Sequence, residues 1–116
     1  ASPLKNFMAL LLKNFLEFHL KSLEKIEIAY FLLKYLLENK RQNLIERYKL
    51  DEEEIEQVLS NENNLENENI MEVLYMIGKK RGTIVSGGYV DEEKVSNLLI
   101  EEFRSGKLGK ITLERP

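Results

Sequence analysis

A chain of 116 residues, 43% hydrophobic and 32% charged, is long enough for one domain around one modest core and short for two. It has no cysteine, which excludes disulfides and cysteine-ligated zinc. The formal net charge of −3 conceals a split: residues 1–77 carry 9 basic and 14 acidic side chains, residues 78–116 carry 8 and 6. The basic excess of the last third, from Lys79, Lys80, Arg81, Arg104, Lys107, Lys110 and Arg115, is where a polyanion-binding surface is expected.

The first element predicted by apolar spacing is a helix over residues 3–21, with Leu4, Phe7, Met8, Leu11, Phe15 and Phe18 at helical intervals. Leu10, Leu12, Leu16 and Leu20 make it apolar on nearly every side, so it needs burial or a partner. Lys5, Lys13 and Glu17 interrupt the run, which speaks against both a secretory signal and a membrane span of roughly 20 apolar residues. No membrane partner and a cytoplasmic location are therefore expected. The chain opens on Ala1 rather than methionine, as expected of a fragment or a processed product.

Ser22 is the expected N-cap of a second helix reaching about residue 40, with Ile26, Ala29, Tyr30, Leu33 and Leu37 as its core stripe. A short helix is expected over residues 44–48, then one over 52–59 opened by Asp51 and Glu54 as a capping pair. Residues 60–69, rich in Asn and Glu, read as a solvated loop. Ile70, Val73, Leu74 and Ile77 define the next helix, which runs through three basic residues to Gly82 as a left-handed cap. Asp91 caps the last helix, which carries Val95, Leu98, Leu99 and Phe103 and stops at Ser105 and Gly106. Residues 108–113 read as an extended tail. The fold expected is all-α, a compact bundle of five to six helices over residues 1–116 with a short extended C-terminal tail.

Catalytic chemistry has few carriers here. His19, the one histidine, sits in the most apolar stretch and reads as a packing residue rather than a base. No metal site is expected, because the acids from Asp51 to Glu54 stand at a helix start, where capping and the dipole favour them. A nucleotide phosphate loop needs two glycines separated by four residues and followed by Lys and Ser or Thr. Gly78-Lys79-Lys80 and Gly106-Lys107-Leu108 lack the upstream glycine and the hydroxyl, and Asn39-Lys40-Arg41-Gln42 lacks the aspartate of a guanine-reading motif. The chain is not expected to be an enzyme or to hold a cofactor.

The most informative stretch runs from Lys80-Arg81-Gly82 through Gly87-Gly88-Tyr89-Val90-Asp91 to Phe103-Arg104-Ser105-Gly106-Lys107-Leu108-Gly109-Lys110-Ile111-Thr112-Leu113-Glu114. Gly87 and Gly88 permit positive backbone angles before a helix start, where their N–H groups suit a phosphate oxygen, with Asp91 competing for that end. Arg104, Lys107 and Lys110 recur every three residues, so a tail folded over the helix end would cluster them. A plainer reading, a glycine-stopped helix with solvated lysines, stays open on composition.

These motifs resemble the end of the ribosome biogenesis GTPase A family, as do Ile28-Ala29-Tyr30-Phe31-Leu32-Leu33-Lys34-Tyr35-Leu36 and Glu46-Arg47-Tyr48-Lys49-Leu50-Asp51. The resemblance covers residues 24–116; Lys110 stands where the family often has arginine, and residues 1–22 depart from its pattern, as a diverged first helix or a foreign segment. It implies a C-terminal helical domain resembling RNA-binding antiterminator (ANTAR-like) modules, with GTP and magnesium confined to a GTPase domain absent from this chain. It also implies contact with large-subunit ribosomal RNA on the immature large ribosomal subunit. On this resemblance the RNA-contacting residues are Lys79, Lys80, Arg81, Arg104, Lys107 and Lys110, with Gly87 and Gly88 as backbone phosphate contacts. The alternative is a protein-interaction domain whose acidic two-thirds meets a basic ribosomal protein or its own GTPase domain.

Overall fold

Continuous apolar spacing and well-placed caps produce five helices among residues 22–109, the part of the chain that the computed structural model describes. They are α1 (Ser22–Asn39), α2 (Arg41–Tyr48), α3 (Glu52–Leu59), α4 (Glu66–Arg81) and α5 (Glu92–Arg104). The architecture is all-α. The helix expected over residues 3–21 with His19, and Lys110 with the rest of the tail, lie outside the described residues; Ser22, expected as an N-cap, is part of α1.

α1 is the central element, packed mainly on α5 and also on α4 and α2. Ile28, Ala29, Leu32, Leu33, Leu36 and Leu37 are all buried, a wider stripe than the one expected. Ile26 and Tyr30, assigned to that stripe, are only half-buried, because the covering helices meet α1 on the flank carrying Ile28, Leu32 and Leu36. From the other helices, Tyr48, Ile55, Val73, Leu74, Ile77, Val95, Leu99 and Ile100 complete a single core.

Helix boundaries follow local hydrogen bonding. α2 begins at Arg41, earlier than residue 44, and Arg41 ties back to α1 by donating from Nε to the Leu37 carbonyl at 3.0 Å. Asp51 caps α3 by accepting from the Glu53 N–H at 2.9 Å, while the Glu54 side chain, expected to reach back, makes no hydrogen bond among the described residues. α4 starts at Glu66 rather than at Ile70, which shortens the expected loop. The polar residues assigned to that loop build the helix start instead: Glu68 accepts from the Leu65 N–H at 2.8 Å, and Asn69 donates to the Asn61 carbonyl at 3.0 Å. The extended tail is also corrected at its beginning, since Leu108 lies in a turn after α5 and is fully buried.

Between α4 and α5, residues 83–91 fold into a small hairpin with an antiparallel bridge between Ile84 and Val90. Its base fits against α4 because position 78 has no side chain: a Cβ there would lie 2.6 Å from Val90 Cγ1 and 3.0 Å from Thr83 Oγ1. Alanine normally stabilises a helix interior relative to glycine by about 0.5–1 kcal/mol. At position 78 overpacking against a stiff β-branched side chain reverses the sign. Gly78→Ala should destabilise the fold by about 1–3 kcal/mol, read as a lower urea midpoint with the m-value retained.

Candidate functional site

Three helices end at one carboxylate. Glu102, in the last turn of α5, is 6% exposed and accepts from the final turns of α2 and α4. Arg47 donates to it from Nε and Nη2 at 3.2 and 3.0 Å, Tyr48 from its hydroxyl at 2.8 Å, and Arg81 from Nη1 at 3.2 Å. The Arg81 guanidinium also lies 5.0 Å from the centre of the Tyr48 ring, a cation–π contact. Burial opposes the charge of Glu102, but hydrogen bonds from Arg47 and Tyr48 and the positive charges of Arg81 and Arg47 outweigh it and hold its pKa below the usual 4.5. Burial and the neighbouring carboxylate push the Tyr48 hydroxyl far up, so it stays a donor.

The same three helices finish with a left-handed residue and a six-to-one hydrogen bond, the Schellman arrangement. Thr83 donates to Gly78 at 3.0 Å past Gly82, and Lys107 donates to Glu102 at 3.0 Å past Gly106. Leu50 donates to Ile45 at 3.0 Å past Lys49. Gly82 and Gly106 have φ of 71° and 82°, and Lys49, with φ of 55°, is the described non-glycine residue with positive φ. Leu50, Thr83 and Leu108 are then buried, which locks each exit.

Converging helix C-termini present carbonyl oxygens and the negative end of each dipole, an environment that favours cations. Lys79 and Lys80 are exposed in the last turn of α4 and share an open cleft of about 390 Å³ with Lys49, Met76, Asp51 and Glu54. Lys107 is exposed just past α5. Among the described residues, none of Lys49, Lys79, Lys80 and Lys107 pairs with a carboxylate. The two expected arginines differ: Arg81 is committed to Glu102, and Arg104 donates from Nη1 to both carboxylate oxygens of Glu101 at 2.8 and 2.9 Å. Their charge counts toward the local field, but each already has a carboxylate partner.

The glycine pair also differs from expectation. Gly87 and Gly88, with φ of 92° and 83°, form the hairpin tip, and the Gly88 N–H donates to the Val85 carbonyl at 3.1 Å. That N–H is therefore engaged within the turn, and the start of α5 is closed by Asp91, which accepts from the Lys94 N–H at 3.1 Å. Sequence reasoning missed Lys49, whose positive φ has no local signature, and Tyr89, which stands 74% exposed beside the tip. Arg47-Tyr48-Lys49 carried the available signal, a basic pair at a helix end within the acidic part of the chain.

Gly78-Lys79 and Gly106-Lys107 sit at helix C-terminal ends, where carbonyls point outward. A phosphate cradle requires the N–H groups of a helix start.

Glu102→Gln removes the anion shared by two arginines, and the fold should lose about 2 kcal/mol near neutral pH. Because the folded pKa is depressed, the stabilisation is complete above the unfolded value of 4.5 and is lost as pH falls through the folded value. Urea midpoints of the two proteins should therefore draw together as pH falls below 4.5. Lys49→Gly should have the opposite effect on stability, a gain of about 0.5–1 kcal/mol by relief of the left-handed conformation, seen as a raised urea midpoint.

No protein-family profile matches the chain. Individual proteins do. The ribosome biogenesis GTPase A of Bacillus cereus is 36% identical over 90 residues, which is 78% of this chain and 26% of that protein. Those of Priestia megaterium and Bacillus pumilus are 30% identical over 90 residues, again 78% of this chain and 27% of each protein. The chain thus spans about a quarter of the length of these relatives. On these matches the chain belongs to the ribosome biogenesis GTPase A family, consistent with the family's C-terminal domain.

Proposed function

We propose that this chain is the RNA-contacting domain of a cytoplasmic ribosome-assembly GTPase and docks that protein on the immature large ribosomal subunit. The observation that carries the reading is the lysine set at the convergent helix ends: Lys49, Lys79, Lys80 and Lys107 are exposed and have no carboxylate partner among the described residues, in a chain of net charge −3. Such a set neutralises phosphates and releases their counterions, and the two arginines that share the one Glu102 carboxylate leave a net positive charge beside it that offsets the negative helix ends. The names of the relatives supply the ribosome. On this reading hydrolysis, with GTP and magnesium, belongs to the part of those relatives that this chain does not span. The domain's own contribution is binding and orientation, with large-subunit ribosomal RNA as its partner and the GTPase domain as its neighbour.

Recognition would run mainly through the RNA backbone and its shape, since lysines contact phosphates as point charges and carry little base information. The test is binding of the chain to purified immature large ribosomal subunits across a salt series, compared with a variant in which Lys79, Lys80 and Lys107 are changed to glutamine. The variant should fold as the parent does and should bind more weakly. Its slope of log affinity against log salt should be shallower by about 2 to 3. Binding that ignores both salt and the substitutions would overturn the proposal and shift the docking role to a protein partner.

A further inference from the structure

We propose that the hairpin over residues 83–91 is a stacking platform that holds one unpaired RNA base on Tyr89 while Lys79 engages the adjoining phosphate. This rests on the RNA reading above and adds the kind of RNA feature recognised.

The hairpin is rigidly founded. Asp91 donates its N–H to the Thr83 carbonyl at 2.8 Å, Val85 to Tyr89 at 2.8 Å and Gly88 to Val85 at 3.1 Å, so the short segment is hydrogen-bonded from base to tip. Thr83 Oγ1 donates to the Gly78 carbonyl at 3.2 Å, and Val90 sits against the bare backbone of Gly78. On that footing Ile84, Val85 and Tyr89 are left exposed. A loop whose polar backbone is internally satisfied does not need three outward apolar side chains for its own stability.

Tyr89 is placed for stacking. Its ring lies along the backbone of Gly87, where a Cβ would come within 3.3 Å of Cε2 and 3.4 Å of Cδ2, so glycine at that position lets the turn support the ring. No aromatic ring or cation among the described residues covers it. Tyr89, Gly88, Val90, Tyr75 and Lys79 line an open cleft of about 460 Å³, with Glu92 on its wall, where its carboxylate accepts from the Tyr75 hydroxyl. Lys79 also lines the cleft that holds Lys80 and Lys49, which makes the aromatic and the lysines one continuous surface. A nucleic-acid strand crossing it would meet a π-face and then a file of cations, the combination that single-stranded recognition uses. Duplex RNA hides its base faces in the stack and offers only its grooves and backbone, so an exposed ring selects an unpaired base.

The chain is titrated with a short single-stranded RNA, with the same RNA annealed as a duplex, and with immature large ribosomal subunits. Tyr89→Ala, Tyr89→Phe and the double substitution of Lys79 and Lys80 to glutamine are compared. Tyr89→Ala should weaken single-strand and subunit binding on the order of tenfold, leave duplex binding and the salt slope unchanged, and be rescued by Tyr89→Phe. The lysine variant should weaken binding to all three probes and flatten the salt slope. If Tyr89→Ala binds the single strand as the parent does, or Tyr89→Phe loses as much as alanine, the platform is overturned while the lysine result still upholds the RNA reading. If the parent binds no probe in a salt-sensitive, lysine-dependent way, the RNA reading itself fails and the platform with it.

Discussion

A carboxylate taken out of water must be compensated, and most of this molecule's organisation follows from how Glu102 is. Its partners come from positions 47, 48 and 81, the ends of two other helices, so each donor can reach it only if α2, α4 and α5 finish at the same place. Breaking one partner leaves a buried charge short of donors, which costs more than the bond itself contributes in a well-solvated setting. Hydrophobic burial along α1 would tolerate some sliding of the helices. The Glu102 cluster fixes where they stop.

That convergence creates a second requirement. Three helix C-termini brought together add their negative dipole ends and their unpaired carbonyls. The molecule answers with left-handed caps that turn the backbone N–H groups inward to those carbonyls, and with basic side chains in the surrounding turns. Arg47 and Arg81 neutralise the buried anion, Arg104 pairs with Glu101, and the lysines are left over. The same electrostatics that stabilise the helix ends therefore leave exposed lysines clustered on a chain whose net charge is −3, and the fold and that cluster have one physical origin.

Much of this was legible in the sequence where a local rule decides the outcome. Asp51 and Asp91 before apolar-periodic runs, and Gly82 and Gly106 after them, mark helix ends by chemistry that needs no tertiary context. The start of α4 was read four residues late because Glu and Asn suit a loop as well as a first turn; the bond from Leu65 to Glu68 decides the matter. The site was less legible, since charge alone does not say whether an arginine faces solvent or a buried acid. Arg81 and Lys80 are adjacent in sequence, yet one reaches Glu102 and the other faces outward. Lys49 escaped notice because lysine in a left-handed cap is costly and has no sequence signature; only the neighbouring buried Leu50, held by its bond to Ile45, shows why the chain must turn there.

The run Gly106-Lys107-Leu108-Gly109 shows how closely packing and charge are interleaved. Read as a string, its lysine between glycines looks like a mobile basic tail. In the fold each position has a distinct physical role. Gly106 supplies the positive φ that ends α5, and the Lys107 backbone donates to the carbonyl of Glu102. Leu108 is fully buried, and Gly109 leaves space for Asn43, whose Nδ2 would lie 2.7 Å from a Cβ at that position. With Leu108 anchored and Gly109 pressed against α2, the Lys107 backbone has little freedom to move. Its side chain, exposed among the helix ends, is thus presented from a fixed point, which lowers the entropy that a phosphate contact must overcome. A motif that closes α5 and packs back on the core and on α2 therefore also positions a cation, so its glycines and its leucine matter to where that charge stands as much as the lysine does.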